Sequence, residues 1–256
     1  MQKSFFLSAV ACGVVLAAGA AQAQGGYPQR PVALVVPFAP GGSVDLVARV
    51  VAESWGKKLG QPVVVENRAG AATILAADYV QKSAPDGHTL LIGTSTTFVV
   101  NPIIYPKLPY DPLTGFDPVG VVGSSGLALL VHGGIAPRTV PELIADIKAK
   151  PKTYAYGSHG NGSTVHFAAE MLWSAAGTKD VTHIPYKGSA PAITDLSGGQ
   201  IPIAFDAIPA AAAAAKGNRV RILAVTSEQR SPLLPDVPTI AESGYPGFRM
   251  TSWFGI

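Results

Sequence analysis

The sequence predicts an α/β protein in which strands and helices alternate through two successive regions, each built around a glycine-rich strand-to-helix turn. Apolar runs at Val32–Val36, Pro62–Glu66 and Thr89–Gly93 are separated by helix-like segments, an order that argues for a parallel sheet covered by helices. A second alternation begins at Thr139. The arrangement of strand, Gly-rich turn, Ser and helix occurs at Pro37–Asp45 and again at Ser158–Thr164, where Gly162-Ser163 stands 120 residues after Gly42-Ser43. The flanking sequences differ, so one device is used twice without an internal repeat.

Residues 1–23 have the layout of a secretory signal peptide. Lys3 precedes an uncharged run from Phe5 to Ala21, and Ala21-Gln22-Ala23 supplies the small-x-small cleavage site. The single cysteine, Cys12, falls inside this run, so cleavage leaves a chain without disulfides or thiol chemistry. A lipoprotein at Cys12 is the weaker reading, because Ala9-Val10-Ala11 offers no Leu before it. Losing Lys3 lowers the net charge from +3 to +2, too mild for a nucleic-acid-binding surface. Beyond residue 24 no apolar stretch is long and clean enough to span a bilayer. The 28 glycines and 22 prolines, with 14% charged residues, describe a compact fold punctuated by loops.

In the first region, Val32–Val36 is a strand by its β-branched density. The segment from Leu46 to Leu59 is an amphipathic helix with apolar residues at 47, 50, 51 and 55. Between them, Gly41-Gly42 permits a tight turn and Ser43 is a candidate N-cap. Backbone N–H groups and the positive end of a helix then face one spot, which suits a small anion. A plain strand-to-helix turn is the alternative. Neither nucleotide-loop pattern can be read there. A strand at Pro62–Glu66, a small-residue helix near Ala72–Lys82 and a strand at Thr89–Gly93 follow, the last ending in the polar cluster Thr94–Thr97. Residues 101–120, rich in proline, form a stiff surface loop. Val119–His132 is extended, and its Gly-Ser-Ser-Gly interruption at 123–126 marks a domain crossover. The expected divisions are 24–123 for one lobe, 124–247 for a second, and 248–256 returning to the first.

In the second region, Thr139-Val140-Pro141-Glu142 is a capping box opening a helix to about Lys150. Strands follow at Thr153–Gly157, Val181–Pro185, Ile201–Phe205 and Val220–Thr226. Helices follow at the segment carrying Phe167, Met171, Leu172 and Ala175, at Ala190–Leu196 and at Ala210–Lys216. A last short helix is expected between Pro235 and Gly244, and extended chain from Phe248 to Trp253. Ligands in such sheets collect at the carboxyl ends of the strands, where Phe38–Ser43 and Thr94–Thr97 both fall. A helix N-terminus contributes about 0.3–1 kcal/mol and a charge-assisted hydrogen bond about 1.5–3 kcal/mol. One loop would therefore supply roughly 4–7 kcal/mol against association costs of about 4–15 kcal/mol. Two loops closing on one acid are needed for micromolar capture.

Many segments resemble one family across the whole mature chain. They include Tyr27-Pro28, the Val32–Asp45 loop, Gln61–Arg68, Ala84–Gly87, Asn101-Pro102 and Tyr105–Asp111. They continue with Gly160–Ser163, Pro185–Gly188, Leu223–Thr226, Leu234–Thr239 and Thr251–Gly255. The chain resembles the Bug-type extracytoplasmic solute receptors of the tripartite tricarboxylate transporter system. That resemblance implies a two-lobed, type II (Venus-flytrap) periplasmic binding protein. It would be a monomer without cofactor or metal that carries a small carboxylate to membrane permease subunits. Di- and tricarboxylic acids, acidic amino acids and aromatic acids are the implied ligands.

The implied binding residues are Phe38, Ala39, Gly41, Gly42, Ser43 and Asp45 in one loop and Ser158, Gly160, Asn161, Gly162, Ser163 and Thr164 in the other. Lys187, Gly188, Ser189 and Asp206 are placed near the cleft, with Thr94 and Ser95 as wall. Members of the family continue beyond the Ser-Trp-Phe-Gly segment to complete the first lobe, whereas this sequence stops at Ile256. The resemblance therefore implies that the C-terminal part of lobe one is missing, through a fragment or a premature stop.

Several side chains carry two readings. Asp45 falls in the first helical turn, where a carboxylate is favourable for structural reasons alone, or it touches ligand through an amine or a water. Asp206 is a cleft residue or a turn cap; Lys187 pairs with a second carboxylate or is solvated; Arg68 is structural. His159 and His166 are read as loop and helix-packing residues. A secreted α/β hydrolase acting on a carboxylate ester, or a non-functional fragment of the receptor, is the alternative function. Against the hydrolase, the five histidines form no HExxH pair, no GxSxG elbow is present, and Ser163 with His166 makes no triad.

Overall fold

The structure, a computed structural model, describes residues 26–150, 152–179 and 181–256, so the signal-peptide segment lies outside the described residues. Strand β1 (Val32–Val36) leads into helix α1 (Ser43–Leu59), then β2 (Val63–Asn67), a 3₁₀ turn (Ala71–Thr73), α2 (Ile74–Gln81), β3 (Thr89–Leu91) and β4 (Gly93–Thr94). β1 is central and parallel to both β2 and β3. Its five residues are almost wholly buried because helices cover both faces, which explains a strand of continuous rather than alternating apolar residues. Leu34 and Val36 meet α1, and Val35 meets α2.

The buried stripe of α1 is Val44, Ala48 and Ala52, whereas Val50 is 69% exposed. The expected stripe through 47, 50, 51 and 55 is thus rotated, because alanines let the helix approach the sheet closely. Residues 71–73 do not begin a regular helix, as the sequence suggested. All three have positive φ (45°, 47° and 76°), and α2 starts only at Ile74.

A π-helical turn (Thr96–Val100) follows β4, and the short α3 (Asn101–Ile104) replaces the start of the expected proline-rich loop. Strand β5 (Val121–His132) then runs unbroken through the Gly-Ser-Ser-Gly segment. Residues Gly123–Gly126 pair with β10 (Thr251–Gly255), and Leu127–Val131 with β8 (Ile203–Ala207), both antiparallel. β9 (Val220–Val225) flanks the same end of β5, and β6 (Tyr154–Ser158) and β7 (Val181–Pro185) extend the sheet beyond β8. β5 thereby lies inside one seven-stranded sheet, ordered β4-β10-β5-β8-β6-β7 with β9 also paired to β5, and the three-stranded β2-β1-β3 sheet stands apart from it.

Alternate side chains of β5 feed two cores. Leu127, Leu129 and Val131 pack with α4 (Val140–Ala149) and α5 (Thr164–Ala175). Ala128 and Leu130 pack with α6 (Ser189–Ser197) and α7 (Ile208–Ala215). α4 opens on the expected cap, Thr139 Oγ1 accepting the Glu142 N–H at 3.3 Å. The Pro235–Gly244 segment forms turns instead of a helix. Thr239 and Glu242 make the reciprocal cap bonds, but Gly244 at φ 103° and Pro246 follow before a full helix can grow. No helix among the described residues is long and apolar enough to cross a membrane.

Candidate functional site

Both Gly-rich turns reach one small cavity of about 30 Å³. Phe38, Ser43 and Val44 line it from the β1–α1 turn, His159, Ser163, Thr164 and Val165 from the β6–α5 turn, and Thr94 and Thr96 from the end of β4. Ser252, Phe254, Leu127 and Ala207 complete the wall. Larger surface grooves of about 660 and 600 Å³ lie on outer faces and receive neither turn.

Ser43 is not the cap of α1. Gly42 occupies that position with φ −83° and ψ 172°, and Ser43 becomes the first helical residue. The opening N–H groups of a helix have no intrahelical acceptor, so Ser43 and Val44 present donors toward the cavity. Asp45 is turned away and saturated. It accepts from Gly41 N–H (3.0 Å), Arg49 Nε (2.9 Å), Arg49 (3.2 Å) and Asn67 Nδ2 (2.8 Å). Burial would raise its carboxyl, but these hydrogen bonds together hold it below the usual carboxylate range. Its geometry matches the structural reading, and the Asn67 amide also ties down the Phe38 carbonyl at 3.1 Å.

Ser163 caps α5 as the sequence suggested, its Oγ accepting the His166 N–H at 3.2 Å. The Thr164 N–H donates to Thr96 Oγ1 at 3.0 Å, and the two hydroxyls lie 2.9 Å apart. This hydroxyl link joins the two sides of the cavity. Ser158 faces inward, with Oγ 2.6 Å from His183 Nε2 and accepting from Gly160 N–H at 3.1 Å. His166 Nδ1 accepts the Gly162 N–H at 3.0 Å, which requires an unprotonated nitrogen there. The two imidazoles stack 3.9 Å apart, nearly parallel. Burial, and then the charge His166 would carry, push His183 down to about 4; burial also lowers His166. Neutral histidines thus brace the turn from behind, with His166 packed as expected.

The Lys187–Ser189 turn packs on the β1–α1 turn rather than lining the cavity. The Ala39 N–H donates to the Lys187 carbonyl at 2.9 Å, while the Lys187 side chain is at the surface. Gly188, at φ 141°, passes so near that a Cβ would lie 3.2 Å from the Ala39 nitrogen. Gly41 and Gly42 meet Ala190 and Ser189 across this contact. Asn161 is exposed, its carbonyl near the Tyr105 hydroxyl at 3.5 Å. Ser95 accepts the Trp253 N–H at 3.1 Å and so anchors β10. Asp206 is fully buried, accepting from Ser189 Oγ (2.5 Å) and Ala207 N–H (2.7 Å).

Of the expected residues, Phe38, Ser43, Thr94, Ser163 and Thr164 meet at the cavity. Ala39, Gly41, Gly42, Gly188 and Ser189 form the contact beside it. His159, read as a loop residue, was not foreseen there, and Thr96 was foreseen only as one of the Thr94–Thr97 cluster, with nothing local to distinguish it. Among the described residues no group of three or more His, Cys, Asp or Glu side chains could hold a metal ion.

Comparison with known proteins agrees with this architecture. The model of the tripartite tricarboxylate transporter family receptor (TctC) matches residues 47–256. Protein BugT of Bordetella pertussis is 40% identical over 231 residues, which are 90% of this chain and 71% of that protein. The structure of the periplasmic binding protein BugD superposes with a TM-score of 0.86 at 38% identity, covering 90% of this chain and 76% of that one. R. palustris Rpa4515 with adipate gives 0.87 at 38% identity, with 90% and 77% covered. By these matches the chain belongs to the tripartite tricarboxylate transporter receptor family, a family of solute receptors with the periplasmic binding protein fold.

Proposed function

We propose that this protein captures a small carboxylate between two lobes in the periplasm and delivers it, as a monomer, to the permease subunits of a tripartite tricarboxylate-type transporter. The observation that carries the reading is the meeting of two helix N-termini, from separate sheets, at one cavity rich in hydroxyls. Backbone N–H groups and hydroxyls at such ends stabilise an anion without a fixed cation. A relative with adipate bound shares the fold. The lobes are residues 24–123 with 248–256, and residues 124–247, and cleavage after residue 23 releases the receptor. Phe38, Ser43, Thr94, Thr96, Ser163 and Thr164 contact the acid; the Ala39–Gly42 and Lys187–Ser189 segments seat the lobes against each other.

The cavity has room for about two water molecules, so a carboxylic acid enters only when the lobes part. Isothermal titration calorimetry of the full chain against a panel of mono-, di-, tri- and aromatic carboxylic acids tests the function. Saturable binding without turnover is expected. A panel with no binding, or hydrolysis of a carboxylate ester, overturns it.

A further inference from the structure

Asn101, the first residue of α3, is fully buried, and its side-chain amide faces three oxygens. Nδ2 donates to the Ala72 carbonyl at 2.8 Å and lies 3.3 Å from Thr73 Oγ1 and 3.2 Å from the Tyr110 hydroxyl. Its Oδ1 is buried without a partner. Turning the amide over would set Oδ1 against the Ala72 carbonyl, two acceptors face to face, so the orphaned oxygen follows from holding that carbonyl. The cluster is closed by Tyr110, whose hydroxyl donates to the Thr97 carbonyl at 2.6 Å, and by Thr97, whose hydroxyl donates to Thr73 Oγ1 at 3.0 Å. Thr94, in the cavity wall, has its hydroxyl 3.3 Å from that of Thr97.

What this buried cluster holds is the Ala71–Thr73 turn, three successive residues with side chains at φ 45°, 47° and 76°. Left-handed backbone is unfavourable for such residues and persists only where the surroundings over-determine it. The turn faces the β6–α5 turn of the other lobe: a Cβ on Gly160 would lie 4.0 Å from both Ala72 N and Ala72 Cα. α3 covers the same segment. Ile104 Cδ1 occupies the place that a Cβ on Gly162 would take, and the Tyr105 hydroxyl is 3.5 Å from the Asn161 carbonyl. Residues 160–162 therefore meet two elements, and Asn101 belongs to one and bonds to the other.

We propose that Asn101 is a positioning residue for ligand capture: by fixing the Ala71–Thr73 turn it keeps in shape the surface on which the β6–α5 turn closes, and so raises affinity for an acid it does not touch. The inference rests on the carboxylate-receptor reading and adds a second closing surface, made of different residues from the Gly42–Ser189 contact. A turn held in its strained form before the acid arrives need not be ordered when it binds, which is how preorganisation raises affinity.

The test is calorimetry of the full chain with the tightest binder among butyrate, succinate, citrate and benzoate, in wild type, Asn101→Ala, Ala72→Gly and the double variant. Glycine takes positive φ freely, so Ala72→Gly restores access to the turn when the amide is gone. Asn101→Ala should weaken binding about tenfold, the loss expected for one buried hydrogen bond. Ala72→Gly alone should stay within about twofold of wild type, and the double variant should recover about threefold over Asn101→Ala. Stoichiometry reports the folded fraction and the dissociation constant reports its affinity, so a merely structural role lowers the first and leaves the second. If Asn101→Ala fails to fold, Thr73→Val decides; it removes a hydroxyl from the same cluster, keeps the shape, and should weaken binding about threefold, again relieved by Ala72→Gly. An unchanged dissociation constant, or a loss that Ala72→Gly does not reduce, overturns this proposal and leaves the receptor reading standing. A wild type that binds none of the four acids overturns both.

Discussion

Replacing Gly42 with alanine tests whether the two lobes close at the β1–α1 turn. Gly42 has φ −83° and ψ 172°, which alanine adopts without strain, so the change does not disturb its own loop. Across the interface, a Cβ at this position lies 3.0 Å from Ser189 Cβ, 3.7 Å from Ser189 N and 3.8 Å from Ser189 Cα. Carbon atoms rest at about 3.5–4.0 Å, so the new methyl is too close by about half an ångström. Rotating the Ser189 side chain brings no relief, since the nearest atom is Cβ and its hydroxyl is fixed on Asp206. Overpacking of this kind costs about 1–3 kcal/mol, hence roughly a fivefold to hundredfold loss of affinity. The unliganded lobes should hardly notice. Losing Gly at the N-cap and lowering unfolded-chain entropy are opposing effects of about 1 kcal/mol or less. Calorimetry with an acid that binds wild type, together with thermal melting without acid, separates the two. Wild-type affinity in Gly42→Ala would show that the bound state does not bring Gly42 and Ser189 together.

Three further outcomes follow from the same geometry. Asp45→Ala strips acceptors from Gly41, Arg49 and Asn67 and should destabilise the protein by about 1–3 kcal/mol, seen as a lower melting temperature; unchanged melting would refute the bracing role. Ala71→Gly relieves a left-handed residue (φ 45°) at an exposed site, where strain of about 1–2 kcal/mol outweighs about 0.4–1 kcal/mol of added chain entropy, so melting should rise. A fall would refute it. Below pH 6.5 the unfolded chain binds protons that folded His183, pushed down to about 4, does not, so its contribution is full above pH 6.5 and is lost as pH falls toward 4. For a half-buried ring that loss is about 1–2 kcal/mol after solvent screening, and His183→Asn should flatten the acid limb of the melting curve. An unaltered slope counts against it.

The fold was legible because its signals were local. The continuous apolar run at Val32–Val36 coincides with strand β1, the Val181–Pro185 segment with β7, and Thr139 with Glu142 opens α4. Two departures came from tertiary packing. Alanine contacts rotated the buried face of α1, and residues 71–73 took positive φ that nothing in Ala-Ala-Thr announces. The candidate site was half legible for the same reason. Gly-Gly-Ser and Gly-Ser turns advertise helix N-termini, and both do reach the cavity. His159 and Thr96 meet at it only because β4 and β6 are brought into one seven-stranded sheet through β10, β5 and β8, and no spacing along the chain encodes that meeting. A histidine inside a Gly-rich strand-to-helix turn was the one available hint. Asp206 was legible as a strand-end carboxylate, but not its place 3.4 Å from His159 Nε2.

The contacts that join the lobes beside the cavity are few and neutral. The Ala39–Lys187 backbone bond and the Thr96–Thr164 hydroxyl link dominate, with a longer contact from Tyr105 to Asn161. Neutral hydrogen bonds contribute about 0.5–1.5 kcal/mol each, so the set supplies only a few kcal/mol before the cost of ordering two lobes. Closure is therefore weakly biased without ligand. An acid that receives hydrogen bonds from both turns adds an interaction available only when both sides meet, and its differential affinity sets how far the population moves. Stronger interlobe pairing would slow release, and weaker pairing would leave more of the closing work to the acid. Small residues at 39, 41, 42, 188 and 189 permit close backbone approach without adding attraction, which keeps the control of closure with the ligand.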